Sequence, residues 1–148
     1  MRRSNVSAWV VSVAAFCATG CSSFHREWEE ALKKPVPPDR ITGPWTGTWQ
    51  NQNNTHGNAL RAVVTELEPD TYRAFFHARY LKIFTYSYSV KLSGRPEGDS
   101  VILTGEEDLG KLAGGVYKYN GHANPTNFFC DYESKYNTGT FTLQRPKP

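Results

Sequence analysis

The sequence predicts an all-β fold, an eight-stranded antiparallel up-and-down barrel preceded by a short N-terminal helix. Three observations carry this expectation. Eight Tyr, eight Phe and four Trp stand among many Thr, Ser, Asn and Gly residues, and aromatic and β-branched side chains suit a pleated surface. Apolar and polar residues alternate with period two in successive runs, each bounded by Gly, Pro, Asn or Asp. Past residue 41 no run has the length and period of a crossover helix, so consecutive strands pair antiparallel. Closing such a meander into a barrel removes its unpaired edges. Stacking it as two sheets satisfies the same strand count.

Residues 1–20 read as an export signal. Met1-Arg2-Arg3 is a positive n-region, and Val6 to Phe16 is an apolar run too short to span a bilayer as a helix. Ala18-Thr19-Gly20-Cys21 resembles the bacterial lipobox, which implies that Cys21 is lipidated and becomes the new N-terminus. Ser22 after that cysteine, by resemblance to Gram-negative lipoproteins, implies an outer-membrane lipoprotein facing the periplasm. Without Arg2 and Arg3 the Lys and Arg count falls from 17 to 15 against 14 acids. A nearly neutral chain argues against nucleic acid as a partner. Cys17 leaves with the signal, so Cys130 has no intramolecular partner. It alternates with Phe128 and Tyr132 and reads as a small core residue.

Residues 21–40 read as a tether. Phe24 to Lys34 suits a short helix, with Glu27, Glu29 and Glu30 early and Lys33 and Lys34 late, the order that complements a helix dipole. Phe24, Trp28, Ala31 and Leu32 form an apolar stripe. The sequence leaves open whether that stripe lies on a bilayer or covers one end of the barrel. Pro35-Val36-Pro37-Pro38 ends the helix as an extended linker.

Residues 41–148 form the barrel domain, whose expected strands are 45–52, 59–67, 72–80, 82–92, 101–109, 116–123, 127–136 and 140–145. The first carries Trp45, Gly47 and Trp49 on one face. In the third, Tyr72, Ala74, Phe76, Ala78 and Tyr80 alternate with Arg73, Phe75, His77 and Arg79, which places a basic face in solvent. Gly94 to Asp99 reads as a loop, and Gly110 to Gly115 as a glycine-rich connection.

Gly43-x-Trp45 and Gly47-x-Trp49 resemble the glycine-x-tryptophan opening of the calycin superfamily of lipocalins, fatty-acid-binding proteins and avidins. Thr46-Gly47-Thr48-Trp49-Gln50-Asn51-Gln52 is similar to the first strand of streptavidin-type proteins. That resemblance implies a ligand-bonding role for Asn51, with Thr55 and Tyr72 as further correspondences. Avidin-type pockets close on biotin with several later tryptophans, and this chain has none after Trp49, so the resemblance implies the barrel rather than biotin.

The expected inward face gathers Trp49, Tyr72, Tyr86, Tyr88, Tyr117 and Tyr119 beside small residues such as Ala62, Ala78 and Gly121. An eight-stranded barrel is just wide enough to be filled by side chains or to hold one small ligand. Buried phenols need partners, which implies water, a polar ligand or internal bonds. The ligand-binding expectation is Trp49, Asn51, Tyr72, Tyr86, Tyr88, Tyr117 and Tyr119, for a small amphipathic or aromatic molecule. The alternative is a filled barrel acting as a structural, inhibitory or interaction module toward another envelope protein. No catalytic residue, metal ligand or cofactor is expected. Glu106 and Asp108 read as a solvated strand end, and His25, His56, His77 and His122 lack metal-ligand spacing.

Overall fold

The structure is a computed structural model that describes residues 23–52 and 54–148, without the side chains of 54–57. The export signal, Cys21 and the Thr55 side chain therefore lie outside the described residues. The chain begins with helix α1 at residues 23–32 and continues into eight strands. These are β1 Gly43–Asn51, β2 Asn54–Glu68, β3 Thr71–Tyr80, β4 Phe84–Glu97, β5 Ser100–Asp108, β6 Val116–Ala123, β7 Asn127–Glu133 and β8 Thr138–Gln144. Each pairs antiparallel with its sequence neighbour, and β1 pairs with β8, so the sheet closes as a barrel. The all-β barrel with a short N-terminal helix is thus the observed fold.

Gly47 explains how the seam closes. It lies between Trp45 and Trp49 opposite Leu143, and a Cβ there would collide with the Thr142 carbonyl. Only a residue without a side chain lets the coiled β1 backbone approach β8 this closely. At this end of the barrel the Trp45 indole N–H donates to the Ile41 carbonyl at 2.9 Å. Trp45, Phe128, Leu103 and Leu143 fill the closed half with no exposed surface to speak of.

One expected loop is a strand. Gly94 to Glu97 continues β4, pairing Leu92–Glu97 with Ser100–Gly105, and only Gly98-Asp99 turns. Gly and Pro were strong local turn signals, but the cross-strand ladder and the packing of Gly94 under the Tyr72 ring override them. Pairing between β4 and β5 stops at Leu92 and Gly105. Above that level β4 pairs only with β3, and β4 and β5 part toward one end of the barrel.

The helix settles on neither of the places the sequence suggested. It packs on the outer wall of β2 and β3, where Phe24 and Trp28 are buried against Val63 and Phe75. Phe24 stacks on His77 with centroids 4.8 Å apart, Arg73 pairs with Glu27 at 2.8 Å, and the Arg61 guanidinium lies 5.3 Å from the Trp28 ring. The face of β3 expected in solvent is therefore roofed by α1. Burying two large aromatic side chains contributes about 1.5–3 kcal/mol each. A helix this short is marginal alone in water, so the barrel wall stabilises it.

Candidate functional site

The strands define two ends of the barrel. The Glu68–Thr71, Glu97–Ser100 and Ala123–Asn127 turns lie at the closed end, with Trp45 and Ile41. The Tyr80–Phe84, Asp108–Val116 and Glu133–Thr138 connections lie at the other end, where β4 and β5 part. There the barrel holds a cavity of about 680 Å³. A drug-sized ligand site falls within about 300–1,000 Å³.

Aromatic side chains build its walls because the inward positions near this end are filled by rings rather than aliphatic groups. Trp49 comes from β1, Tyr86 and Tyr88 from β4, Tyr117 and Tyr119 from β6, Tyr132 from β7 and Phe141 from β8. Tyr86 stacks on Tyr88 at 5.6 Å and Tyr117 on Tyr119 at 6.4 Å, as residues two apart on one strand face must. Tyr132 meets both Tyr117 and Phe141, at 5.9 and 5.0 Å. Phe76 and Phe141, 5.1 Å apart, separate the cavity from the packed half.

The connection after β5 forms the mouth. Leu109 to Ala113 line the cavity, and Lys111–Ala113 make a single 3-10 turn. Asp108 anchors this loop by accepting from the Gly110 N–H at 2.8 Å, and the Tyr117 hydroxyl donates to the Ala113 carbonyl at 2.9 Å. Gly114 has φ +100° and lies against the Tyr117 hydroxyl, so both its backbone conformation and the space beside it exclude a side chain. Among the described residues, Lys111 is the one cation that lines the cavity.

The cavity is chemically neutral inside. Burial raises the Tyr86 and Tyr88 pKa values, Tyr88 strongly, and neighbouring phenols add to the rise. Tyr119 and Tyr132 are also pushed up, by burial first. Tyr132 donates to the Gln50 carbonyl at 3.3 Å. The Tyr119 hydroxyl is buried and, among the described residues, has no hydrogen-bond partner of ordinary geometry. The neighbouring Tyr88 hydroxyl offsets part of its pKa rise. An orphaned buried hydroxyl costs about 1–3 kcal/mol.

Five of the residues expected from sequence converge here: Trp49, Tyr86, Tyr88, Tyr117 and Tyr119. Two do not. Tyr72 is buried at the closed end beside Gly94 and Val101. Its alternation was read correctly, but its depth in the barrel depends on the register of β2, β3 and β4. Asn51 follows a register shift after Trp49, pairs with Gly139 and borders a shallow outer cleft with Lys118 and Asp131. The sequence reading left Tyr132, Phe141 and the loop 109–113 out of the site. The glycine-rich run after Gly110 was the signal for that loop.

Cys130 is buried among Tyr119 and Phe141, its Sγ donates to the Asp131 carbonyl at 3.4 Å, and burial pushes its pKa up to about 12. A thiol held protonated is a poor nucleophile. Among the described residues no three His, Cys, Asp or Glu side chains converge as metal ligands would. No protein-family model matches this sequence, and no curated protein matches it either.

Proposed function

We propose that the chain is a non-catalytic, lipid-anchored protein of the bacterial cell envelope whose calycin-like barrel binds one small neutral aromatic or amphipathic molecule. The observation that carries this reading is the tyrosine-lined cavity of about 680 Å³ at the open end of the barrel. The rings of Tyr86, Tyr88, Tyr117, Tyr119 and Tyr132 supply flat apolar surface for such a molecule. Lys111 at the mouth suits a ligand with its polar end outward. A wholly filled barrel, the rival reading, is supported only by the closed half.

The Tyr88 and Tyr119 phenols and the Cys130 thiol stay protonated at neutral pH, which supports binding rather than nucleophilic or acid-base chemistry. The anchor, with outer-membrane placement facing the periplasm, is supported by the charge, apolar run and lipobox-like Ala18-Thr19-Gly20-Cys21.

N-phenyl-1-naphthylamine, a neutral aromatic amphiphile, tests the cavity. Saturable one-site fluorescence enhancement is expected, and Ala78→Leu, which projects into the cavity from β3, should abolish it while leaving the far-ultraviolet circular dichroism unchanged. Unsaturable enhancement, or equal binding by Ala78→Leu, refutes the reading. Labelled palmitate incorporated at Cys21 and lost in Cys21→Ser tests the anchor separately.

A further inference from the structure

The mouth of the barrel is not a polar rim. Leu81, Ile83, Phe84, Leu112, Val116 and Tyr136 all stand exposed around it, Ile83 at 79% and Leu112 entirely. They come from three separate connections, so chance at one loop does not explain them. Singly exposed apolar residues are ordinary on a protein surface, but six gathered at one end of a barrel mark a contact surface.

The turn between β3 and β4 presents this ring at a conformational cost. Leu81 and Lys82 have φ of 50° and 63°, a backbone region disfavoured for bulky side chains. The Ile83 N–H closes the turn on the Tyr80 carbonyl at 3.3 Å. Leucine and lysine thus occupy the two central positions where Asn-Gly would make the same turn with less strain.

Three of the mouth connections each carry a lysine, Lys82, Lys111 and Lys135, beside their exposed apolar residues, and Asp108 and Glu133 stand where two of them begin. Lysines flanking apolar side chains suit an interface between an anionic headgroup layer and acyl chains, because the stem lies in the apolar zone while the ammonium reaches the phosphates.

The helix adds an independent direction. β3 runs from the closed end at Thr71 to the mouth at Tyr80. Phe24 lies on His77, Glu27 on Arg73, and Arg40 on Glu66, so α1 and the linker descend from the mouth end toward the closed end. Ser23 is therefore near the mouth. Only Ser22, within a span of at most about 7 Å of chain, separates it from Cys21.

We infer that the mouth of the barrel docks on an anionic lipid bilayer, with the 80–84 turn, Leu112 and Tyr136 entering the headgroup layer. Tether and apolar ring then address one membrane, and the cavity opens toward lipid rather than water. The inference takes the presence of a membrane from the envelope reading above but does not require acylation or a particular ligand.

Amide hydrogen exchange of the full chain bound to phosphatidylglycerol–phosphatidylethanolamine vesicles tests it. Exchange should slow about tenfold at 80–84 and 110–116, relative to vesicle-free protein, and stay unchanged in the 97–100 and 123–127 turns. Phosphatidylcholine vesicles should protect the mouth less. Ile83→Asp with Leu112→Asp should remove the mouth protection and leave exchange in the 97–100 and 123–127 turns unchanged. Protection of the closed end, protection of neither end, or failure to bind vesicles overturns the inference. Mouth protection that appears without vesicles and grows with protein concentration assigns the ring to a second copy and also overturns it. Failed palmitate incorporation at Cys21 would refute the anchor and leave these outcomes readable.

Discussion

The Arg145 guanidinium lies 3.9 Å from the centroid of the Trp45 ring and seals the closed end of the barrel. It donates to the carbonyls of Pro125 at 2.8 Å, Arg40 at 2.9 Å and Pro44 at 3.2 Å. One side chain past the last strand thereby ties the linker, the first strand and the β6–β7 turn together. Burial pulls its pKa down from 12.5 to about 10, which leaves it cationic at neutral pH.

Arg145→Ala should lower stability by about 2–4 kcal/mol, because three carbonyls lose their donor and the indole loses its cover. Arg145→Lys should recover only part of it, since an ammonium cannot stack flat and donate in three directions at once. Urea unfolding of the two variants measures both, and equal stability of Arg145→Lys and the parent would refute the argument.

Gly47→Ala should destabilise by about 2–3 kcal/mol through overpacking at the β1–β8 seam. The added methyl meets backbone at Thr142, which cannot rotate away as a side chain would. Gly98→Ala is the control, since its surroundings are open and only its φ of +62° opposes the change. A smaller loss at Gly47 than at Gly98 would show that the seam yields.

Tyr119→Phe removes a buried hydroxyl that has no partner, so the empty protein should be unchanged or up to about 1 kcal/mol more stable. Thermal denaturation beside the parent measures this, and a loss of more than about 1 kcal/mol would show that the hydroxyl is bonded in the folded chain.

Raised phenol pKa values give a definite alkaline sign. In the range above about pH 10 the unfolded chain releases protons that folded Tyr86, Tyr88, Tyr119 and Tyr132 retain. Their contribution is whole below pH 10 and is lost as pH rises beyond it. Absorbance at 295 nm should show a fraction of the phenols ionising only together with unfolding, and a single smooth titration of all eight would contradict this.

His77 gives the opposite limb. Burial lowers its pKa, and His25, Arg61 and Arg79 lower it further, while its Nδ1 stays 2.8 Å from the Ser87 hydroxyl. Phe24 stacks on the ring from α1, and the Arg73–Glu27 pair lies one turn away. Above its unfolded pKa of about 6.5 the contact is unaffected. As pH falls below that value the unfolded chain binds a proton that the folded site resists, so stability declines. Trp28 fluorescence should report looser packing of α1 near pH 5, and His77→Gln should flatten the change between pH 7.5 and 5.

The faces of the strands were legible from residue types alone. Tyr72 to Tyr80 and Phe128 to Tyr132 each declare an inward set, because alternate side chains of a strand leave on opposite sides. The grouping of Tyr86, Tyr88, Tyr117 and Tyr119 followed from that rule. Gly94 to Glu97 was misread for a related reason: local turn signals say nothing of a partner strand that holds the segment extended.

Depth and neighbours were decided only in three dimensions. Tyr72 and Tyr119 obey the same alternation and occupy opposite ends of the barrel. Their heights are set by strand offsets that accumulate around the closed sheet, from Leu60 opposite Ala78 to Leu92 opposite Gly105. The sequence by itself determined which side of the sheet each residue takes, since that depends on the bonds of its own backbone. Which residues meet across the cavity, and that α1 roofs β3, followed from the register and closure of all eight strands together, a property no single segment contains.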